Sequence, residues 1–299
     1  MSTIGFLHSG SQGSFQDAFK TFKANLPGDV DVKDHYANDD AGVLKKLARD
    51  LVSDKDVKVI VAAGGPQPAL VLKDLTKTIP IVFTTVANPV MSGLVSTLKK
   101  PGRNLTGMAG QTSELDAERL NRLIEFAHVK IKKGHKIGVL VKEGRDHIRE
   151  HLRKVKRKAS DEKLKVNLVE IEVGTVGGIE KAFEFFDKED VKGVLVTADG
   201  FFNNNRKLLV ELAASKQLPT IYQWKEFVRE GGLISYGPSL LEAYEMAGKY
   251  VTEILGGKKP ASMPCSKPSR FELCVSKDAA RKLGLDVPQT LLGDPVQVI

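Results

Sequence analysis

Apolar residues recur along this chain in short unbroken runs, each followed by a longer segment in which they return every three or four positions. The first habit is that of a strand and the second that of an amphipathic helix. Over the first hundred residues the runs fall at 4–8, 30–36, 57–63 and 79–86, with helical segments at 15–25, 41–52 and 68–75 between them. The third and fourth runs are apolar on both faces, as strands covered by helices on either side must be. This alternation predicts a parallel sheet wound by helices with right-handed crossovers.

A short strand is expected at 105–109, followed by a helix opened by Thr112 and Ser113 with Asp116 in N-terminal capping style. The pattern then restarts. Strands at 136–141, 166–172, 191–197 and 219–223 alternate with helices near 145–160, 176–187 and 203–217. Further strands at 233–236 and 271–275 arrive after this second half is complete, so the chain is expected to cross back between halves.

With 299 residues, 41% of them apolar and only 6% aromatic, two cores of ordinary domain size fit better than one. No apolar run approaches the roughly 18 to 20 residues that span a membrane. The first residues, from Met1 to Leu7, run directly into a strand without the basic and apolar regions of an export signal. Cys265 and Cys274 flank an extended segment that separates them by up to roughly 30 Å, so a disulfide between them is not expected.

The net charge of +8 is local: residues 129–165 hold fourteen Lys and Arg against five Asp and Glu, and the remainder of the chain is near neutral. The run Arg153-Lys154-Val155-Lys156-Arg157-Lys158 has no interleaved aromatic and no zinc or helix-turn-helix spacing beside it. A solvated helix face is expected there, and no nucleic-acid partner.

Several longer motifs resemble a known family. They are the segment from Ile79 through Thr84, Thr85 and Asn88 to Val90, then Gly93-Leu94-Val95, and Pro101 to Gly107. Ser113 to Leu120, Leu218 to Phe227, Gly231 to Ser239 and Phe271 to Leu273 follow in the same order. Together they resemble the ABC transporter substrate-binding family that includes tryptophan- and tyrosine-uptake proteins. The resemblance covers nearly the whole chain. It implies an α/β fold of two doubly wound parallel-sheet lobes joined by three crossings, of periplasmic-binding-protein type I.

With the strand reading, the crossings are expected near 107–111, near 233–237 and between 260 and 272. Lobe 1 would then comprise 1–108 plus about 236–266, and lobe 2 would comprise 109–235 plus about 267–299. The resemblance further implies a monomeric, extracytoplasmic protein that catalyses nothing, needs no cofactor or metal, closes by a hinge on a small molecule and hands it to an ABC permease in the membrane. A ligand-sensing regulator of the same fold, without a DNA-binding head, is the alternative.

Ligands of open parallel sheets lie beyond the carboxyl ends of the strands. That rule nominates Ser9, Ser11, Gln12, Gly64, Gly65, Pro66, Gln67, Thr84, Thr85 and Asn88 in the first lobe. The first crossing adds Gln111 and Thr112. The second lobe offers Thr197, Asp199, Phe201, Tyr222, Trp224 and Tyr236, with Asp199 as the expected partner of an ammonium group. An amino acid presents a carboxylate suited to backbone N–H groups, an ammonium that wants an anion, and a side chain that rings can cover. Each residue also has a plain structural role open to it, as a turn former, helix cap or core ring. The family often has Asp where this chain has Asn88, which removes one negative charge.

Other chemistry is weaker. His147-Ile148-Arg149-Glu150-His151 fits the inverted zincin pattern, but the surrounding cations oppose a divalent metal and no third ligand is evident. No phosphate-binding loop, dinucleotide fingerprint or nucleophile elbow is present.

Overall fold

The computed structural model describes residues 2–110, 115–144, 148–160, 165–287 and 296–298. It divides into two units, one formed by 1–111 and 239–270 and the other by 112–238 and 271–299. The chain therefore leaves one unit for the other after 111, 238 and 270.

The first unit is a five-stranded parallel sheet. Its strands are β1 (Ser2–His8), β2 (Val30–Tyr36), β3 (Val57–Ala63), β4 (Ile81–Val86) and β5 (Leu105–Ala109), ordered β2-β1-β3-β4-β5. The expected bounds hold to within two residues, because burial on both faces makes β1, β3 and β4 almost continuously apolar. Helices α1 (Gln16–Ala24), α2 (Ala41–Ser53) and α3 (Pro66–Leu75) cover the sheet. Asp40 caps α2 by accepting from the Gly42 and Val43 N–H groups at 2.7 and 2.8 Å.

A sixteen-residue helix, α10 (Leu240–Leu255), also belongs to this unit and is absent from the predicted elements. It packs on α1, β4 and β5, and a side chain on Gly248 would come within 2.6 Å of Asn25. A glycine is required at that helix crossing by close approach alone.

The second unit repeats the order. Strands β6 (Lys136–Lys142), β7 (Asn167–Val173), β8 (Val194–Val196), β9 (Thr220–Tyr222) and β10 (Ile234–Pro238) run β7-β6-β8-β9-β10 and are parallel. Two more strands, β11 (Phe271–Val275) and β12 (Val296–Val298), extend the edge. The sheet is parallel as expected except at β11, which runs antiparallel to β10 with Pro238 opposite Phe271. The chain re-enters this unit beside the strand from which it left, and adjacent ends favour antiparallel pairing.

Helices α4 (Asp116–Phe126), α5 (Ile148–Ala159), α6 (Val176–Lys188), α7 (Gly200–Asn204), α8 (Arg206–Ser215), α9 (Lys225–Arg229) and α11 (Lys277–Lys282) flank the sheet. The single helix expected at 203–217 is in fact α7 and α8, broken at Asn205, and it begins earlier because Asp199 caps Gly200–Asn204. Thr112 and Ser113 lie outside the described residues. The Asp116 carboxylate is buried and bonded to Arg119.

Cys265 and Cys274 are both buried and free. Arg153, Lys154, Lys156 and Arg157 are exposed along α5 while Leu152, Val155 and Ala159 are buried, which is the solvated basic face that the sequence predicts. His147 lies outside the described residues, and among those described no group of His, Cys, Asp and Glu is placed to hold a metal ion. No described helix is long and apolar enough to cross a membrane.

Candidate functional site

In the first unit the carboxyl ends of the adjacent strands β1, β3 and β4 carry the loops of interest. Ser9 donates its hydroxyl to Gly64 O at 2.7 Å and its N–H to Ala63 O at 3.2 Å, which ties the first loop to the second. The oxygen lone pairs of Ser9 remain oriented by that donation. Gly64 and Gly65 have φ of +86° and +112°, and a Cβ on Gly64 would sit 2.4 Å from Ser9 Oγ. Only glycine reconciles that turn with its neighbour.

Gly65 is the N-cap of α3 and Pro66 opens the helix. Pro66 and Pro68 have no N–H, so the first turn offers chiefly the N–H groups of Gly65 and Gln67 to an anion. Gln67 is exposed, as are Ser11 and Gln12, which enter the short 3-10 helix Gln12–Phe15. Thr84 is buried and Thr85 half-buried, with hydroxyls 3.5 Å apart. Asn88 accepts from Met91 N–H at 3.0 Å, so its side chain closes a turn.

Beneath these loops sits His8, which the sequence reasoning does not single out. Its Nδ1 accepts from Gly10 N–H at 2.9 Å, so the neutral ring carries its proton on Nε2, a buried atom without a hydrogen-bond partner among the described residues. Burial pushes its pKa down to about 3. The ring packs 4.7 Å from Phe15. A polar residue ending an apolar strand is its only trace in the sequence.

The second unit presents the ends of β6, β8 and β9. Thr197 is 1% exposed and donates to Leu140 O at 2.8 Å, a link between strands. Asp199 accepts from Phe201 N–H at 2.8 Å as the cap of α7 and is half-buried. Phe201 is half-exposed, with the Lys142 ammonium 5.0 Å above its ring. Gln223 donates to Asn203 Oδ1, joining the end of β9 to α7.

Trp224 is 7% exposed. Tyr222, expected beside it, is 0% exposed and stacks on Phe227 at 4.5 Å. Strand alternation turns it into the helix layer, while its neighbour Ile221 joins the opposite core. Tyr236 is half-buried, with the Arg122 guanidinium 4.0 Å over its ring. Gln111 and Thr112 lie outside the described residues.

An ion pair underpins this end of the sheet. Arg119 bonds Asp116 at 2.6 Å and donates through Nε to Tyr236 O at 2.6 Å, while Asp116 also accepts from the Ala198 N–H. Burial lifts the Asp116 carboxyl to about 6 despite its partner. The pair links α4 to the ends of β8 and β10. The spacing of Asp116 and Arg119 shows only that one helix turn separates them, and nothing in the sequence marks the pair as buried.

The family model described as ABC transporter substrate binding protein matches residues 9–299. A tyrosine-binding protein of Clostridioides difficile is 25% identical over 264 residues, which is 88% of this chain and 72% of the relative. A crystal structure of an ABC domain in complex with L-Trp from Streptococcus pneumoniae superposes with a TM-score of 0.85 at 23% identity, covering 99% of this chain and 100% of that one. A conserved domain protein from Vibrio cholerae superposes at 0.84 with 21% identity, covering 100% and 99%. These two structural likenesses speak to the fold, and the family match runs through both units.

Proposed function

The chain belongs to the ABC transporter substrate-binding protein family, and from that premise we propose that it captures an aromatic L-amino acid for delivery to its permease. The function of the family is the binding of a small molecule for uptake by an ABC transporter. The family match through both units is the observation that carries the proposal, and the tyrosine-binding relative supports the ligand class.

In this reading the first unit, taken by itself, offers a carboxylate Ser9, Thr85 and the N–H groups of Gly65 and Gln67, around the turn held by Gly64 and Pro66. Donors fixed before binding lose little entropy when an anion arrives. Asn88, Ser11 and Gln12 shape the rim. Taken by itself, the second unit offers Asp199 to an ammonium group and Phe201 and Trp224 to an aromatic side chain, with Thr197 and Tyr236 as supports. Thr84 and Tyr222, having no accessible surface, are left out of the contact set.

The protein works outside the cytoplasmic membrane as a monomer, binds no nucleic acid and catalyses no reaction. Titration calorimetry with L-tyrosine, L-tryptophan and L-phenylalanine, against aliphatic and acidic amino acids, tests the proposal. Saturable one-to-one heat with an aromatic member supports it, and heat with none of the panel refutes it.

A further inference from the structure

Two stretches of the second unit, 128–136 and 151–160, carry nine Lys and Arg and no Asp or Glu. The fold of that unit brings them together. Gly134 donates its N–H to Lys165 O at 2.7 Å and Val166 donates to Ala159 O at 3.0 Å, so the turn after α4 meets the end of α5 through residues 165 and 166. Ile131, Val155, Ala159 and Val166 are buried in one core beneath, while Lys132, Arg153, Lys154 and Arg157 are exposed above it.

Neighbouring cations are matched by acids: Lys136 meets Glu189 at 2.8 Å, Lys216 meets Asp187 at 2.7 Å and Lys156 meets Glu170 at 3.0 Å. The dipole of α5 accounts for cations in its last turn, but Arg153 and Lys154 lie before that turn and Lys132 is off the helix. Val129, in the same turn of chain as Lys132, is 51% exposed, and no aromatic residue occurs from 127 to 166. Cations around an exposed aliphatic side chain fit an anionic bilayer, where headgroup phosphates take the charges and the side chain enters the boundary beneath them. Nucleic acid fits less well, because the rings on which bases stack are missing. The family serves a transporter, so a membrane is the surface this protein has to reach.

We propose that this face of the second unit docks on anionic phospholipid membranes, with Lys132, Arg153, Lys154 and Arg157 against the headgroups and Val129 at the acyl boundary. The contact keeps the protein at the surface where a permease lies, whichever small molecule it carries. It is reversible and sensitive to salt, since exposed charges are screened beyond about 10 Å at 0.1 M ionic strength.

Co-sedimentation of the full chain with vesicles of equal parts phosphatidylcholine and phosphatidylglycerol, beside vesicles of phosphatidylcholine alone, tests the proposal. Saturable binding to the mixed vesicles only, weakening as salt is added, is the expected result. One cation at an anionic surface contributes about fivefold in affinity, so Lys132→Gln with Arg157→Gln should weaken binding roughly twenty- to thirtyfold. Lys45→Gln with Lys46→Gln takes the same net charge from exposed positions of α2 and should leave binding unchanged. Val129→Ser should weaken it roughly three- to tenfold, the loss of a partly inserted side chain. All of these side chains lie at the surface, where substitution leaves the fold intact. The proposal is overturned by equal binding to neutral vesicles or by binding to neither. Equal losses in the two double variants, a Val129→Ser protein that binds like the wild type, or tighter binding to duplex DNA than to the mixed vesicles at the same salt overturn it as well.

Discussion

Asp116 and Arg119 face one another across a single turn of α4 at 2.6 Å, with side chains 2% and 0% exposed. Such a pair is a poor source of net stability, because removing two charges from water costs about what their attraction returns. Its effect is positional. Arg119 holds Tyr236 O and Asp116 holds Ala198 N–H, so α4, β8 and β10 share one anchor near the candidate loops of the second unit.

Breaking one half leaves the other charge buried alone. Asp116→Ala should cost about 3–5 kcal/mol in urea unfolding, whereas the double change Asp116→Leu with Arg119→Met should recover most of it. A double variant no better than the single one would contradict this account.

His8 makes stability depend on pH. Its folded pKa, about 3, lies below the unfolded value of 6.5, so the unfolded chain binds the proton first as pH falls. The contribution is present above pH 6.5 and is lost as pH falls toward 3. Asp116 acts with the opposite sign: its folded value, about 6, is raised, so its contribution is present below about 4 and lost as pH rises through 6. Comparing the wild type with His8→Asn cancels the Asp116 part. Between pH 7 and pH 5 the wild type should lose about 2 kcal/mol more than the variant, read from unfolding midpoints. Equal losses would place His8 outside the buried, neutral state.

Glu242, on the first turn of α10, accepts from the N–H groups of Ser269 and Arg270 at 3.0 and 2.9 Å. These residues stand where the chain leaves the first unit for the last time. Hydrogen bonds to a charged group contribute about 1.5–3 kcal/mol, so Glu242→Ala should destabilise by at least about 2 kcal/mol and Glu242→Gln by less. Thermal unfolding of both variants checks the ranking.

The turn at Gly64 should tolerate nothing larger. Gly64→Ala meets both the positive φ and Ser9 Oγ, which predicts about 1–3 kcal/mol of lost stability or a displaced Ser9 loop with weaker ligand binding. A variant that matches the wild type in both would show that the loop has another conformation open to it.

The strands were legible because their burial writes itself into composition: Val57–Ala63 is apolar except for the exposed Lys58, and Ile81–Val86 is apolar but for two threonines. Helix α10 was not legible in the same way, since it follows a crossing and shares no local pattern with the βα repeat that precedes it. The loop positions could be read from strand ends, but side-chain direction could not. Tyr222 belongs to a strand only three residues long, where the register that turns it inward is set by pairing with β8 and β10. His8 and the Asp116–Arg119 pair stayed hidden because burial of a polar group is a property of the assembled sheet.

The central claim is that the protein captures an aromatic amino acid and that Asp199 of the second unit meets its ammonium group. Asp199→Asn keeps the helix cap, since asparagine caps as well as aspartate, and removes the charge. Calorimetry of L-tyrosine and L-tryptophan against the wild type and this variant should give one-to-one binding that weakens roughly ten- to a hundredfold on substitution. Binding that is unaltered by the substitution, or no binding by the wild type to any aromatic amino acid, would contradict it.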